Sequence, residues 1–442
     1  MIEVETQAET TRIIERVGRG GALDFEAVEL YVRTSMLAAG ANVLEGLLRD
    51  VGVGPRQEPL ICANKHLPAA MQSSGVRIKT VETILGSVRF ERSRYVCPRC
   101  GAVRFPGDEL LEVQGTGFSP GLRRLMTRAG SRESFGEAAA DLLVYGGIHT
   151  DAKNVERMAE STGRQIDHWT LAQASLVAGR DESRQERIPI FYTALDGTGA
   201  PMRKSELANT RGKGADGKAH TREVKLGCVF TQTTCDEQGN PIRDPESTTY
   251  VGAIESSADF GNRLHLEALR RGLGRADQVV VLSDGAEYNA RIAKEHFPMA
   301  THILDFYHAS ERLSGFVKET TAHPVNGAFN KQCYALLEEG RIEALVERMR
   351  AELPRRGEKR QQGIKQIAYF SERIEQMRYA EFKRRGFFIG SGVIEAGCKT
   401  LIGKRLKNSG MFWTVEGANA IIAARCCLYS GRFEDFWEDS GS

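Results

Sequence analysis

An α/β core carrying a long helical insertion is the fold class this sequence predicts, and three observations predict it. Residues 188–195, 223–233 and 247–254 are apolar or alternating runs that read as three successive strands. The order then changes. Residues 257–271 have helical spacing and stop at Gly272, 279–282 form a short, wholly apolar strand, 289–296 are helical up to Pro298, and 301–304 form a last strand. A short strand with no polar face belongs in the middle of a parallel sheet covered on both sides. Finally, residues 310–385 are helical in pattern and rich in Arg, Lys and Glu, with breaks only at Pro324 and at 354–357.

The other elements follow in chain order. At roughly 150 residues per domain, 442 residues make about three domains, and 41% hydrophobic residues supply a core for each. From Asp24, the residues Val28, Val32, Met36, Ala39, Val43 and Leu47 recur every three or four positions, which predicts a helix burying that stripe and stopping at Gly52. Residues 76–85 and 88–96 alternate apolar with polar around Gly86-Ser87, a β-hairpin pattern that runs into Cys97-Pro98-Arg99-Cys100-Gly101. Helices at 134–145 and 150–161 around Gly146-Gly147 give a helix-turn-helix outline. The late chain holds one helix starting near Ser391 and another at 415–429. The expected limits are a helical region at 1–54, a zinc-ribbon-like hairpin at 55–115, a helix-turn-helix-like region at 116–185, the core at 186–309 plus 386–442, and the insertion at 310–385.

Composition excludes several classes. The acidic start has no basic, apolar leader, and no apolar run approaches the ~20 residues a bilayer crossing needs, so a cytoplasmic chain is expected. Nine cysteines, an odd number, fit reduced thiols and one metal site better than a disulfide framework. The net charge of +2 conceals two opposed regions. Residues 1–60 hold 6 basic and 10 acidic side chains, net −4, whereas 341–407 hold 17 and 8, net +9.

Three strands followed by helix, strand, helix, strand is the order of an RNase H-like fold, in which the first and fourth strands are neighbours. That adjacency would set Asp196 and Asp284, each closing one of those strands, about 4.8 Å apart in strand spacing and facing one crevice. Two such carboxylates repel, and a pair of Mg²⁺ or Mn²⁺ ions bridging them would neutralise the repulsion and support in-line phosphodiester chemistry. Glu395, after Gly390-Ser391-Gly392, is the candidate third acid. The glycines beside the acids, Gly197, Gly199 and Gly285, would let a nucleic-acid backbone come close. A haloacid dehalogenase phosphatase also carries an Asp-Gly-Thr motif, but its nucleophile position is Ala194 here, which excludes it.

From Ile188 onward the chain resembles the DDE transposases of bacterial insertion sequences, of the ISKra type. The stretches that carry the resemblance are Leu195-Asp196-Gly197-Thr198-Gly199, Leu282-Ser283-Asp284-Gly285-Ala286, Asp305-Phe306-Tyr307-His308-Ala309, Gly390-Ser391-Gly392-Val393-Ile394-Glu395 and 405–413. The resemblance implies a metal-binding triad of Asp196, Asp284 and Glu395. It also implies that Asp305 and His308 form an Asp-x-x-His signature, with His308 on the scissile phosphate or steadying a carboxylate. Tyr288 stands where the family pattern has Trp. The implied partners are double-stranded DNA, as element ends and as target, and a second protomer at least. An RNase H-like nuclease of repair or RNA processing, or a DNA-binding derivative that no longer cuts, are the alternatives.

Two further sets of residues are expected to bind. Cys97 and Cys100 make half a zinc knuckle, and Cys62 and His66 are the upstream groups available to complete a tetrahedral Zn²⁺ site. Arg203, Lys204 and Lys213, after the first acid, and Lys399, Arg405 and Lys407, after Glu395, would lie along a DNA backbone, with Trp413 set against an unstacked base or in the core.

Overall fold

The computed structural model describes residues 25–50, 59–62, 64, 68–177, 186–208 and 219–440. Its contacts divide the chain into two units, Met1–Ala159 and Glu160–Ser442.

The second unit is a mixed α/β structure around five strands: β1 (Ile188–Pro201), β2 (Thr221–Gln232), β3 (Thr249–Ala253), β4 (Ala276–Ser283) and β5 (Thr301–Leu304). Their order across the sheet is β3-β2-β1-β4-β5, with the first three antiparallel and β4 and β5 parallel to β1. The first and fourth strands are thus neighbours, as the order of elements implied. Residues 190–195 of β1 are buried throughout because the sheet is covered on both faces. On one face, Phe260 and Leu264 of the helix Ser257–Arg270 and Ile292 of the helix Glu287–His296 pack on Phe191, Leu195, Val229 and Val281. Each such fully buried side chain contributes about 1.5–3 kcal/mol. The helix Val415–Tyr429 lies against β3, where Asn419 Oδ1 accepts the Ile254 N–H at 2.7 Å.

One element departs from expectation in a way that matters. β1 does not end at Leu195 but runs on to Pro201, still paired with β2, while its parallel pairing with β4 stops at Leu195 and Ser283. Asp196 is therefore inside a strand, at the point where its neighbour on one side leaves.

The insertion is five helices, beginning with Phe306–Thr320 and continuing through Ala328–Glu338, Ile342–Ala351, Glu358–Ser371 and Tyr379–Arg384. It has a break that the pattern did not show, at Gly340, where φ is +69° and the Arg341 N–H turns back to Leu336. Two tyrosines tie the insertion to the sheet: Tyr379 donates to the Leu304 carbonyl at 3.0 Å and Tyr369 to the Asp284 carbonyl at 3.4 Å. The segment by which the insertion returns, residues 386–390, is fixed as well. Tyr192 stacks on Phe230 with centroids 4.7 Å apart, accepts the Phe388 N–H, and donates to Gln232, whose Nε2 reaches the Gly386 carbonyl.

In the first unit the hairpin is Gln72–Thr83 with Gly86–Val96, and its two-residue turn is Ile84-Leu85 rather than Gly86-Ser87. Thr83 decides this, since its Oγ1 donates to the Gly86 carbonyl and accepts the Leu85 N–H. The helices Pro120–Arg132 and Phe135–Gly146 follow, the second opened by a Ser134–Glu137 capping box and closed by Gly147 at φ +67°. The helix Phe25–Asp50 forms, but its expected buried stripe is largely outward, with Val32, Met36, Val43 and Leu47 each about half exposed. The reason is close approach. Gly40 and Ala41 let the helix lie on the hairpin, where a Cβ at Gly40 would sit 3.4 Å from Leu85, and Leu48 joins Val81, Phe90 and Val113. Among the described residues no helix is long and apolar enough to cross a membrane.

Candidate functional site

Asp196 and Asp284 follow directly on the last parallel pair of β1 and β4, so both project at the same end of the sheet. Burial raises the Asp196 pKa above the usual carboxylate range, and the like charge of Asp284 raises it further. In each acid Oδ1 is held by hydrogen bonds. Asp284 Oδ1 accepts the Ala286 N–H at 2.9 Å and the Nδ2 of the fully buried Asn289 at 2.7 Å. Asp196 Oδ1 accepts the Gly197 N–H, and the thiol of Cys398 is a second donor to the carboxylate. Burial pushes the Cys398 thiol up, so it stays protonated and can donate. Tyr288 stands over the pair. Its hydroxyl would be 2.8 Å from a Cβ at Gly197, and burial, then Glu223 and both acids, keep it in the phenol form.

The third acid is joined to a different hub. Asp305 has no exposed surface and caps the helix Phe306–Thr320. Its Oδ1 accepts the backbone N–H of His308 and faces His308 Nδ1 at 3.0 Å, and its Oδ2 accepts the Ser391 N–H. Ser391 Oγ then donates to Glu395 Oε1 at 3.0 Å, in the first turn of the helix Gly392–Gly397. With both oxygens engaged and no exposed surface, Asp305 links His308 to the segment that carries Glu395. Burial alone would raise its pKa, but these hydrogen bonds outweigh it and hold it below the ordinary value.

The hydrogen bond to Asp305 raises the His308 pKa from 6.5 to about 9 despite partial burial, and Asp284 and Glu395 add to the rise. The imidazolium is therefore present at neutral pH and loses its proton as pH rises through about 9. Its folded value lies above the unfolded one, so the pairing contributes fully below pH 6.5 and is lost towards pH 9. In ¹⁵N NMR the His308 ring should titrate near 9 in the wild type and lower in Asp305→Asn. An equal midpoint in both proteins would remove Asp305 as the cause.

Two groups of three or more potential metal ligands lie within 4.8 Å among the described residues: Asp305, His308 and Glu395, and Cys62, Cys97 and Cys100. Asp196 and Asp284 stand outside the first, whose Asp305 is already committed. In the second, the Cys62 and Cys100 sulfurs are 3.8 Å apart. That equals the edge of a tetrahedron, about 3.8 Å, built on Zn–S bonds of about 2.3 Å. The cysteines fit a zinc ion. His66, the expected fourth ligand, falls outside the described residues.

The basic residues separate into two kinds. Arg203, Lys204, Lys399 and Lys407 are exposed, and Lys407 Nζ reaches Thr198 Oγ1, two residues from Asp196, at 2.6 Å. Arg405 and Trp413 are buried instead, 0% and 6% exposed, so Arg405 does not present the surface expected of a DNA contact, and Trp413 takes the core place that was one of its two expected ones. The guanidinium lies 5.0 Å from the Trp413 ring, and Trp413 Nε1 donates to the Leu406 carbonyl while its backbone joins β1 at Pro201 and Arg203. Lys213 falls outside the described residues.

The glycines are also crowded by the protein itself. A Cβ at Gly197 would meet Glu223 and Tyr288 at 2.8 Å, one at Gly199 would meet Thr221 at 2.8 Å, and one at Gly285 would meet Tyr369 and Leu304.

Pattern reading missed Asn289, Ser391, Cys398 and Tyr288 as contacts of the acids. Tyr288 alone carried a signal, as the departure from Trp. The six residues Cys398–Gly403 form a π-helical turn, a form frequent at functional sites and invisible to a 3.6-residue period.

No family model and no curated protein matches this chain. Among solved structures it is similar to a Drosophila P element transposase strand transfer complex, at 10% sequence identity and a TM-score of 0.24, covering 72% of this chain and 80% of that one. An overlay that loose assigns neither fold nor activity.

Proposed function

We propose that this chain is a DDE transposase of an insertion sequence, with an RNase H-like core, that cleaves DNA at the ends of its element and transfers the freed 3′-OH to target DNA. The observation that carries the reading is the register of β1 and β4, in which Leu195 and Ser283 are paired and each is followed by an acid. The five motif stretches of the sequence, in order, support it.

Asp196 and Asp284 would hold divalent cations, with Glu395 as third acid. Their mutual repulsion is what a divalent cation would neutralise, and Mg²⁺ or Mn²⁺ there would supply an activated water and charge stabilisation at the phosphate. The residues do the rest by position. Asn289 and Ala286 aim Asp284, Cys398 and Gly197 aim Asp196, and Ser391 aims Glu395. The His308 imidazolium donates to a phosphate oxygen or steadies a carboxylate, its ring held by Asp305. Lys399, Lys407, Arg203 and Lys204 take the DNA backbone. The regions 1–54, 55–115 and 116–185 would bind the element ends, and joining two ends needs at least two protomers.

Purified protein and Mg²⁺ should nick duplexes carrying the inverted repeats that flank the reading frame and spare random duplex. Equal cleavage of both would point to a general nuclease. The zinc reading has its own measurement. The full chain should carry about one equivalent of zinc, and Cys97→Ser should lose it, whereas less than half an equivalent in the wild type removes the ion from the account.

A further inference from the structure

Against the helices that carry His308 and Glu395 lies a cavity of about 590 Å³ that the proposed chemistry does not use. Small-molecule pockets run from about 300 to 1,000 Å³, so it is large enough for a planar heterocycle with its sugar. Its walls are Phe306 and Tyr307, the segment from Phe387 to Val393, and the turn Gln238–Pro241. Tyr307 immediately precedes His308, and Gly392 and Val393 open the helix of Glu395, so the cavity shares two elements with the proposed reacting groups.

The lining is aromatic and held from behind. Tyr307 is 66% exposed, yet its ring is propped edge-on against Phe306 at 5.9 Å and lies close over Gly390, where a Cβ would come within 3.2 Å. Phe306 is fixed in turn by Tyr334 and Tyr379, and Phe388 by Tyr192 and Phe230. A large aromatic face held rigid at a concave, solvent-open position is a stacking platform, since every base has a π-face and no register is required. Lys383 lines the cavity as well, its Nζ 5.9 Å from the Phe306 ring and paired with Glu338 at 3.0 Å.

We infer that this cavity receives a nucleobase turned out of the DNA stack beside the bond to be cut, with Tyr307 as its stacking surface. The inference rests on the proposed function for its source of DNA. A duplex brought to Asp196, Asp284 and Glu395 has bases near the two elements that carry His308 and Glu395, and an aromatic pocket on those elements gives an unstacked base a place.

The test uses the full chain and fluorescence anisotropy. It compares a fully paired duplex with the same duplex bearing one unpaired base, and both with free nucleoside monophosphate. The bulged duplex should bind at least about 10-fold more tightly, within the roughly 5- to 150-fold that stacking of one base supplies. Tyr307→Ala should bring that ratio near one and Tyr307→Phe should keep it. Gly392→Leu should also abolish it, by filling the cavity, since nothing lies within 4 Å of a Cβ there. An unchanged ratio in both Tyr307→Ala and Gly392→Leu overturns the inference. So does tight binding of the free nucleotide without preference for the bulge, which marks a small-molecule site. The ratio is read without cleavage, so it fails separately from the transposase reading, whose failure shows in the nicking assay.

Discussion

Asp284→Asn should abolish metal-dependent cleavage, by about 10³-fold or more, and leave binding of element ends intact. The magnitude follows from the several kcal/mol that a bound cation supplies to the transition state, at about 1.4 kcal/mol per tenfold. The substitution is selective because of how Asp284 is held. Its Oδ1 carries the hydrogen bonds from Ala286 and Asn289, and asparagine keeps that acceptor. Only Oδ2 is replaced, by an amide that repels a cation. The loop should therefore stay folded, and the like charge that raises the Asp196 pKa disappears. Gel-shift and nicking assays on one preparation separate the two effects. Cleavage at the wild-type rate would refute the triad, and lost binding together with lost thermal stability would mean the substitution damaged the fold.

Gly285→Ala should cost roughly 2–5 kcal/mol of stability in the second unit. Left-handed backbone costs a residue with a Cβ about 1–2 kcal/mol, and overpacking adds about 1–3 kcal/mol. Both apply here. Gly285 has φ +83°, and its Cβ would meet the Tyr369 hydroxyl and stand 2.6 Å from Leu304 Cδ1. Tyr369 can swing away, whereas Leu304 belongs to β5 and has no exposed surface. The expected fall in Tm is roughly 4–20 °C at about 2–4 °C per kcal/mol. Adding Tyr369→Ala should recover part of the clash and none of the backbone strain. A single variant as stable as the wild type would show that the loop behind Asp284 yields easily.

Together the two substitutions separate chemistry from its support. Asp284 is one residue from Gly285, yet one change acts on an open oxygen and the other on the packing of the insertion against the sheet. His308 and Glu395 are coupled in the same way through Asp305 and Ser391, so the helical insertion, which enters after Asp305 and returns before Ser391, leaves both ends of that network on one buried carboxylate.

Much of this was legible locally. Strand type, helix type and their order could be read from periods of two and 3.6, because those periods depend only on near neighbours, and the order alone made β1 and β4 adjacent. Asp196 and Asp284 stood out for the same reason, as acids after apolar runs and before glycine. The three sulfurs were visible as a Cys-x-x-Cys knuckle and one upstream Cys. What sequence alone determined, then, is the inventory of elements, the adjacency of the first and fourth strands, and the candidate acids.

Tertiary structure alone decided which side of each residue meets protein. The stripe on Phe25–Asp50 faces outward because Gly40 and Ala41 make the closer contact. Arg405 and Trp413 look like DNA-binding residues by composition, but they are buried on each other because the chain after Glu395 turns back to pair with Pro201 and Arg203. Asp305 became a buried hub, and Asn289, Ser391 and Cys398 became partners of the acids. Every one of these depends on which side chains and backbone a residue packs against, often from segments far away along the chain. No local pattern encodes a packing environment, so periodicity could name the acids but not what holds them.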